Sequence, residues 1–359
     1  MSNLSLCGCR LSYMTMRWAS PNSLCCVRTF LFVFLLLLLN IPSLALAEWS
    51  ATGGGALFYT DNANLFSATR RSSLDGDPSQ PVLDTSLFGH GKDMVFEPNL
   101  RVMKFIPSSW GQTAFVVKVR GFVYAVNPEF SQTGIYLEGV HVFNPDTAVR
   151  LRFFTAPDQL LGQASVEHGG FSGLQDARVT SHIGAARFDK RLSEHWEIQL
   201  YGRAGIRRFN EPFAERDTLL WTIGPHLVWH MTHHARVVLG YHYERGLAEG
   251  RHHSEFHEDS SYVHHFASIA FEADLMEHLE LELDFHYERN NFTTGISEDQ
   301  HHFHGGENIF LGSGRLLYQI TDGTAVTFTI QRANRNLNSE HAHTQHYNTN
   351  VGLGVLYRF

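Results

Sequence analysis

The chain has 359 residues, 43% of them hydrophobic, 13% aromatic and 18% charged, and its net charge is −8 at neutral pH. So many aromatic residues exclude a disordered polymer, and the acidic balance argues against nucleic acid as a partner. Only one run is apolar enough to span a bilayer as a helix, which excludes a polytopic helical membrane protein.

That run extends from Phe30 to Ala47. Arg17 and Arg28 precede it, no acid stands before Glu48, and Ser43-Leu-Ala-Leu-Ala47 offers small residues at the positions a signal peptidase reads. The pattern predicts a cleaved signal peptide over 1–47 and an exported chain over 48–359; the competing reading is an uncleaved anchor. The long basic segment ahead of the run makes Met14 and Met16 alternative starts. Cys7, Cys9, Cys25 and Cys26 all lie in the segment removed. An exported chain without disulfides must draw its stability from a large core or from lipid.

Beyond Ala47 helical periodicity is nearly absent, and alternation of period two recurs to the end. Val149, Leu151 and Phe153 alternate with Arg150 and Arg152, while Leu219, Trp221, Ile223, Leu227, Trp229 and Met231 form an apolar row. Leu279, Leu281, Leu283, Phe285 and Tyr287 alternate with Glu280, Glu282, Asp284, His286 and Glu288. Fourteen strands are predicted, over 53–62, 94–105, 113–125, 133–143, 147–156, 177–190, 195–207, 218–231, 235–245, 262–275, 278–289, 307–320, 324–334 and 345–359. The first is the weakest, because Gly53-Gly54-Gly55 blurs its pattern. Several runs exceed the length usual in soluble sheets.

The connections sort by length. Asn144-Pro-Asp146, Thr232-His-His234, Met276-Glu-His278 and Thr321-Asp-Gly323 are tight, whereas 63–93, 157–176, 246–261, 290–306 and 335–344 are long. Short turns at one end and long loops at the other are the pattern of an outer-membrane barrel. The expected fold is therefore all-β: a single transmembrane antiparallel up-and-down β-barrel of about fourteen strands, apolar side chains toward lipid and polar ones toward the lumen. Segment 67–82, rich in Ser, Asp, Gly and Pro, reads as an outer loop with the option of folding inward as a constriction.

The last residues, Val351-Gly-Leu-Gly-Val-Leu-Tyr-Arg-Phe359, resemble the closing strand of bacterial outer-membrane β-barrel proteins, the porin-like superfamily. The resemblance implies outer-membrane location and recognition of the terminal aromatic by the barrel-insertion machinery. It points to no subfamily, so no functional residues carry over.

Alternation predicts which charges line the lumen. Strands two to seven place Arg101, Lys118, Arg120, Arg150, Arg152, Arg178, Arg203 and Arg207 inward. Strands nine to eleven place Glu244, Glu272, Asp274, Glu280, Glu282, Asp284 and Glu288 inward. A charge facing lipid at the midplane costs about 2–4 kcal/mol, so these groups must meet water or one another. Two readings follow: a narrow open pore with a transverse field, or two walls that pair and plug the lumen.

Histidine is abundant, with 23 residues. His252, His253, His257, His301, His302, His304, His341, His343 and His346 fall in or beside three successive outer loops, among Glu255, Glu258, Asp259, Glu298 and Asp299. Imidazole and carboxylate without thiolate suit Zn, Cu, Ni or Fe, although no spacing equals a named metal motif and the bland alternative is a hydrated, pH-sensitive surface. Ser260, Ser261, His257 and Asp259 lie close together, but no nucleophile elbow surrounds them, and catalysis is not expected. The sequence thus predicts a porin-like channel for small hydrophilic solutes or ions, with lipid as its surroundings, no obligatory cofactor and loops that collect a transition metal. The alternative is a non-conducting scaffold that docks a periplasmic or surface partner.

Overall fold

The computed structural model describes residues 48–73, 91–168, 171–252, 258–297, 299, 302–338 and 343–359. The predicted signal peptide lies outside the described residues. No described helix is long and apolar enough to cross a membrane.

A strand with one apolar and one polar face still carries unpaired N–H and C=O groups along both edges. In hydrocarbon those edges are tolerable only if the sheet closes on itself. The fourteen strands do so. They are β1 (Glu48–Thr60), β2 (Asp93–Ser108), β3 (Gly111–Tyr124), β4 (Gln132–Asn144) and β5 (Thr147–His168). Then come β6 (Phe171–Arg191), β7 (Trp196–Phe209), β8 (Thr218–Thr232), β9 (Ala235–Ala248) and β10 (Tyr262–Met276). The last are β11 (Leu279–Phe292), β12 (Gly306–Thr321), β13 (Thr324–Asn338) and β14 (His343–Arg358). Each pairs antiparallel with its sequence neighbours, and β1 closes on β14 from Thr52↔Arg358 to Thr60↔Asn350. The Phe359 N–H donates to the Ala51 carbonyl at 2.9 Å, tying the last residue to the first strand. Both described termini and the short connections lie at one end, here the turn end; the long connections lie at the loop end.

The two faces divide as the alternation requires. On β8, Leu219, Trp221, Ile223, Leu227, Trp229 and Met231 are exposed, while Leu220, Thr222 and Val228 are buried. Exposed Trp49, Trp196, Trp229, Tyr318, Tyr357 and Phe359 ring the turn end, and exposed Tyr59, Trp221, Tyr241, Phe310 and Tyr347 ring the outer wall toward the loop end. Aromatic girdles flanking an apolar band are the surface of a protein that sits in a bilayer. Lys104 lies on this outer face near the turn end with its ammonium over the Trp49 ring, 5.0 Å from the centroid. Such a lysine reaches the interface while its stem covers apolar surface.

Every predicted strand is present, with differences at the ends. β1 begins at Glu48, and the glycine run lies inside it. There Gly55 takes the Phe96 ring of β2 against its backbone, an approach that a Cβ would block. The largest departure is 157–176, expected as a loop. Instead β5 and β6 continue as one long hairpin, with irregular register between Ala156/Gln159 and Leu160/Gly162. Asp158 (φ 46°) and Gly162 (φ 144°) mark these two shifts. Bulges of this kind re-aim the side chains beyond them, and the alternation there stops predicting which side is inward.

The expected outer segment after β1 also departs. Residues 63–73 form a helix, α1 (Ala63–Ser73), inside the barrel; the remainder of 67–82 lies outside the described residues. The Asn62 side-chain oxygen accepts the Leu65 N–H at 3.4 Å at its start, an N-cap position. Arg70 and Arg71 occupy its last turn, where cations complement the helix dipole. Eleven residues are marginal as an isolated helix, so burial must hold it.

Candidate functional site: the lumen

The lumen has two unlike halves. Toward the loop end it is filled. α1 buries Ala63, Leu65, Phe66 and Ala68. The Phe66 ring meets Phe58 and Phe122 edge-on at 5.5 Å and Tyr124 at 5.8 Å. Phe58 reaches inward only because Gly352 stands opposite, where a Cβ would collide with the ring. The Arg70 guanidinium donates to Glu97 of β2 at 2.7 Å, and Arg120 of β3 approaches the same carboxylate at 3.1 Å. Arg71 donates to Gln159 at 3.1 Å and to Gln132 at 2.5 Å. A short helix thus plugs one side of the lumen and is anchored by two arginines on polar groups of the wall.

The other side of the same level is closed by a dry polar cluster. Arg203 of β7 and Glu244 of β9 form a fully buried ion pair. Thr222 on β8 donates to Glu244 at 2.5 Å, Tyr262 of β10 donates to it at 2.7 Å, and Arg207 donates to the Tyr262 hydroxyl at 2.7 Å. Gly246 leaves space for the Tyr262 ring. Beside this cluster His264 faces Glu288 at 3.3 Å, and Arg335 pairs with Glu307 at 2.9 Å. The Nε2 atoms of His226 and His242 lie 2.7 Å apart, within hydrogen-bond distance. A buried charge without a partner is costly, and these charges are partnered.

Toward the turn end the wall charges are paired and wet. Arg150 and Arg187 both meet Asp189, at 2.9 and 2.7 Å. Arg152 meets Glu138 at 2.8 Å, and the Arg236 Nε donates to Glu272 at 2.9 Å. Arg315 pairs with Glu282. Most of these side chains keep substantial exposure; Arg236 retains 50% and Glu272 35%. A cavity of about 260 Å³ opens at this end, lined by His230, Arg236, Glu272, Asp274, Glu280 and Glu282 among others.

Most of the predicted lumenal residues face inward as the register requires. Lys118 lies 5.5 Å from the Tyr136 centroid, and Arg101 is exposed with a contact to Met103 Sδ at 3.7 Å. Asp274 meets His234 at 3.4 Å, and Asp284 accepts from Ser313 at 3.4 Å. Arg178 is a correction. Ala177 and Val179 on either side of it are buried, and β6 keeps regular register with β7 through Val179↔Phe209 and Ala185↔Arg203. Arg178 therefore stands on the outward face, paired with Asp158 at 3.1 Å and near Asp176 at 3.7 Å. The same parity turns Arg187 and Asp189 inward, which the sequence reading missed although their spacing along β6 carried the signal. Arg315, Arg335 and Glu307 were also missed as lumenal groups.

The pairing geometry corrects the picture of two opposed walls. The wall pairs named above join adjacent strands or, for Arg203 and Glu244, strands one removed. In these pairs arginines neutralise acids laterally along the wall.

Of the predicted metal ligands, His253, His257, His301 and His341 lie outside the described residues. Among the described residues no group of three or more candidate donors gathers in metal-holding geometry. His302 Nδ1 is bonded to Asp299 at 2.9 Å, with its ring edge-on to Phe292. His252 and His304 are exposed, and His346 faces inward at the level of Arg335. The loop contacts do something different: they tie the loops together. Arg216 pairs with Glu258 at 2.7 Å, and the Asp259 N–H donates to Asp299 at 2.9 Å. Burial and the neighbouring Glu258 charge push the Glu215 carboxyl up to about 7. Burial alone would raise Asp299 too, but the His302 hydrogen bond and charge hold it below the ordinary carboxylate range.

The chain is a closed fourteen-stranded β-barrel with an apolar exterior. It is similar to an outer-membrane channel, DcaP of Acinetobacter baumannii, at 8% identity and a TM-score of 0.47, over 87% of this chain and 97% of that one. It is similar to an anion-selective porin from Comamonas acidovorans at 8% identity and a TM-score of 0.42, over 87% and 100% of the two chains. A Pseudomonas aeruginosa FadL homologue gives 8% identity and a TM-score of 0.43, over 87% and 90%. No protein-family model and no curated protein matches the chain.

Proposed function

We propose that the protein is a channel for small hydrophilic solutes or ions, with the turn end periplasmic and the loop end outside, closed in the described conformation by α1 and the linked loops. One observation carries this reading. Beyond the charged, partly exposed turn-end wall, the lumen is blocked partly by a separate short helix, held by side-chain bonds to the wall rather than by sheet pairing. A helix held only by side-chain bonds can leave the bore without breaking the sheet, which a strand of the wall cannot do.

The lining suits polar solutes. Alternating arginines and carboxylates present donors and acceptors to a hydrated solute without excluding either sign of ion. The test is conductance of the purified protein in planar bilayers. Wild type should give rare or brief openings, and R70A/R71A should raise the open probability at least tenfold. Silence from both proteins at all voltages would reject the reading in favour of a non-conducting scaffold.

A further inference from the structure

We infer that the outer wall of β9–β11 carries a binding site for the phosphate of an outer-leaflet glycolipid, built from Arg245, His265 and Arg289. The three residues are neighbours by register. His265 lies directly opposite Arg289 on β11 and opposite Tyr243 on β9, and Arg245 lies two residues beyond Tyr243, opposite Val263. All three stand on the face opposite the lumenal residues Glu244, His264 and Glu288. Cross-strand neighbours of this kind are within reach of one another's side chains.

Their height fits a headgroup. Arg245 and Arg289 each stand ten residues from the turn-end starts of β9 and β11. At ~3.4 Å per residue and a tilt of about 40°, that is roughly 26 Å. The apolar band of such barrels is about 25 Å tall, and an outward arginine costs about 0–1 kcal/mol at its edge against about 2–4 at its centre. The aromatic residues Tyr241 and Tyr287 lie just below, suited to the boundary of the acyl chains.

Charge supplies the second argument. The lumenal arginines are largely paired with carboxylates, as described above. Arg245 and Arg289 have no carboxylate partner among the described residues; Arg289 donates only to the Asn291 side chain, at 3.2 Å. The outward positions of β9, β10 and β11 contain no aspartate or glutamate at all. His265 Nδ1 is engaged by the Tyr241 hydroxyl at 2.8 Å, which fixes the ring and leaves Nε2 as its other polar atom. Two guanidinium groups and an imidazole at a lipid interface, with no internal anion, are complementary to a phosphate, which arginine binds through paired hydrogen bonds.

The site does not depend on whether the barrel conducts; it needs only the loop end to face outward. The test uses folded, detergent-purified protein and native mass spectrometry. The probes are an acylated glucosamine-disaccharide lipid bearing two phosphates and the same lipid with its phosphates removed. Wild type should bind the phosphorylated lipid at least tenfold more tightly than the dephosphorylated one. R245Q/R289Q should lose that preference, R245K/R289K should keep most of it, and K190Q on the opposite rim should leave it unchanged. Equimolar inorganic phosphate should not displace the lipid. Equal binding of the two lipids by wild type overturns the proposal without recourse to any variant. Retention by R245Q/R289Q, an equal loss in K190Q, or displacement by inorganic phosphate overturns it as well.

Discussion

The two halves of the lumen are lined by the same residue types and behave as different materials. At the loop half, Arg203 and Glu244 are sealed from water, and α1 fills the other side of the lumen. At the turn half, Arg236 and Glu272 make the same kind of bond with much of their surface wet. The difference teaches that a salt bridge in a barrel wall is defined by what stands in front of it. Sealed among other side chains it is a structural element whose loss leaves a stranded charge. In front of water it is a mobile lining with little hold on the fold.

This contrast fixes the size of each expected effect. E244L should be the most damaging change. It strands Arg203 and removes the acceptor of Tyr262 and Thr222, at a cost of about 3–5 kcal/mol; urea titration of the heat-modifiable folded band reads it. Next comes R70A/R71A, with the rise in open probability given above and much less loss of stability, since α1 is not part of the sheet. Charge reversal at Glu280, Glu282 and Asp284 should then shift the cation-to-anion permeability ratio toward anions several-fold, read from the reversal potential in a salt gradient. An unchanged ratio would mean that the vestibule lining does not set selectivity.

A smaller effect follows from the loops. Glu215 has a folded-state pKa near 7, above its ordinary value, so the folded loop holds a proton that the unfolded chain has released between those two values. Loop stability from this group is present at low pH and falls as pH rises through about 7. Amide exchange of Glu211–Arg216 should accelerate over that range, and E215Q should flatten the response. Asp299 works with the opposite sign: its contribution is present at neutral pH and lost in acid, as pH falls through its lowered value. The least effect belongs to E272Q, about 0–1 kcal/mol in the same urea titration. A loss as large as that of E244L would erase the distinction between the halves.

The sheet was legible in the sequence because lipid demands an unbroken rule. Leu279 to Tyr287 alternate without exception, and Leu219 to Met231 keep an apolar outer row although Leu220 and Val228 turn inward. Legibility ended where that demand ends. Past Ala156 β5 bulges at Asp158 and Gly162, and a strand runs on where a loop was expected. On the regular strand β6, taking Arg178 as inward reversed the parity and hid Arg187 and Asp189. α1 escaped for another reason. Its Asn62 cap, its Leu65 and Phe66 pair and its terminal arginines are a helix pattern, but one too short to stand out beside a turn-rich stretch, and only the cavity that receives it makes it stable. The lateral pairing of charges was beyond reach, because composition by strand says nothing of which neighbour a flexible arginine selects.

The hydrogen bond from Phe359 to Ala51 has a consequence for assembly in time. The cylinder is sealed by β1 and β14, so the pairing that completes it joins the two strands most distant in the sequence. Until those two meet, the sheet presents two raw margins, each able to capture a foreign strand. The seam is therefore the costliest loop closure in the fold, and the step at which assembly is most exposed to mispairing.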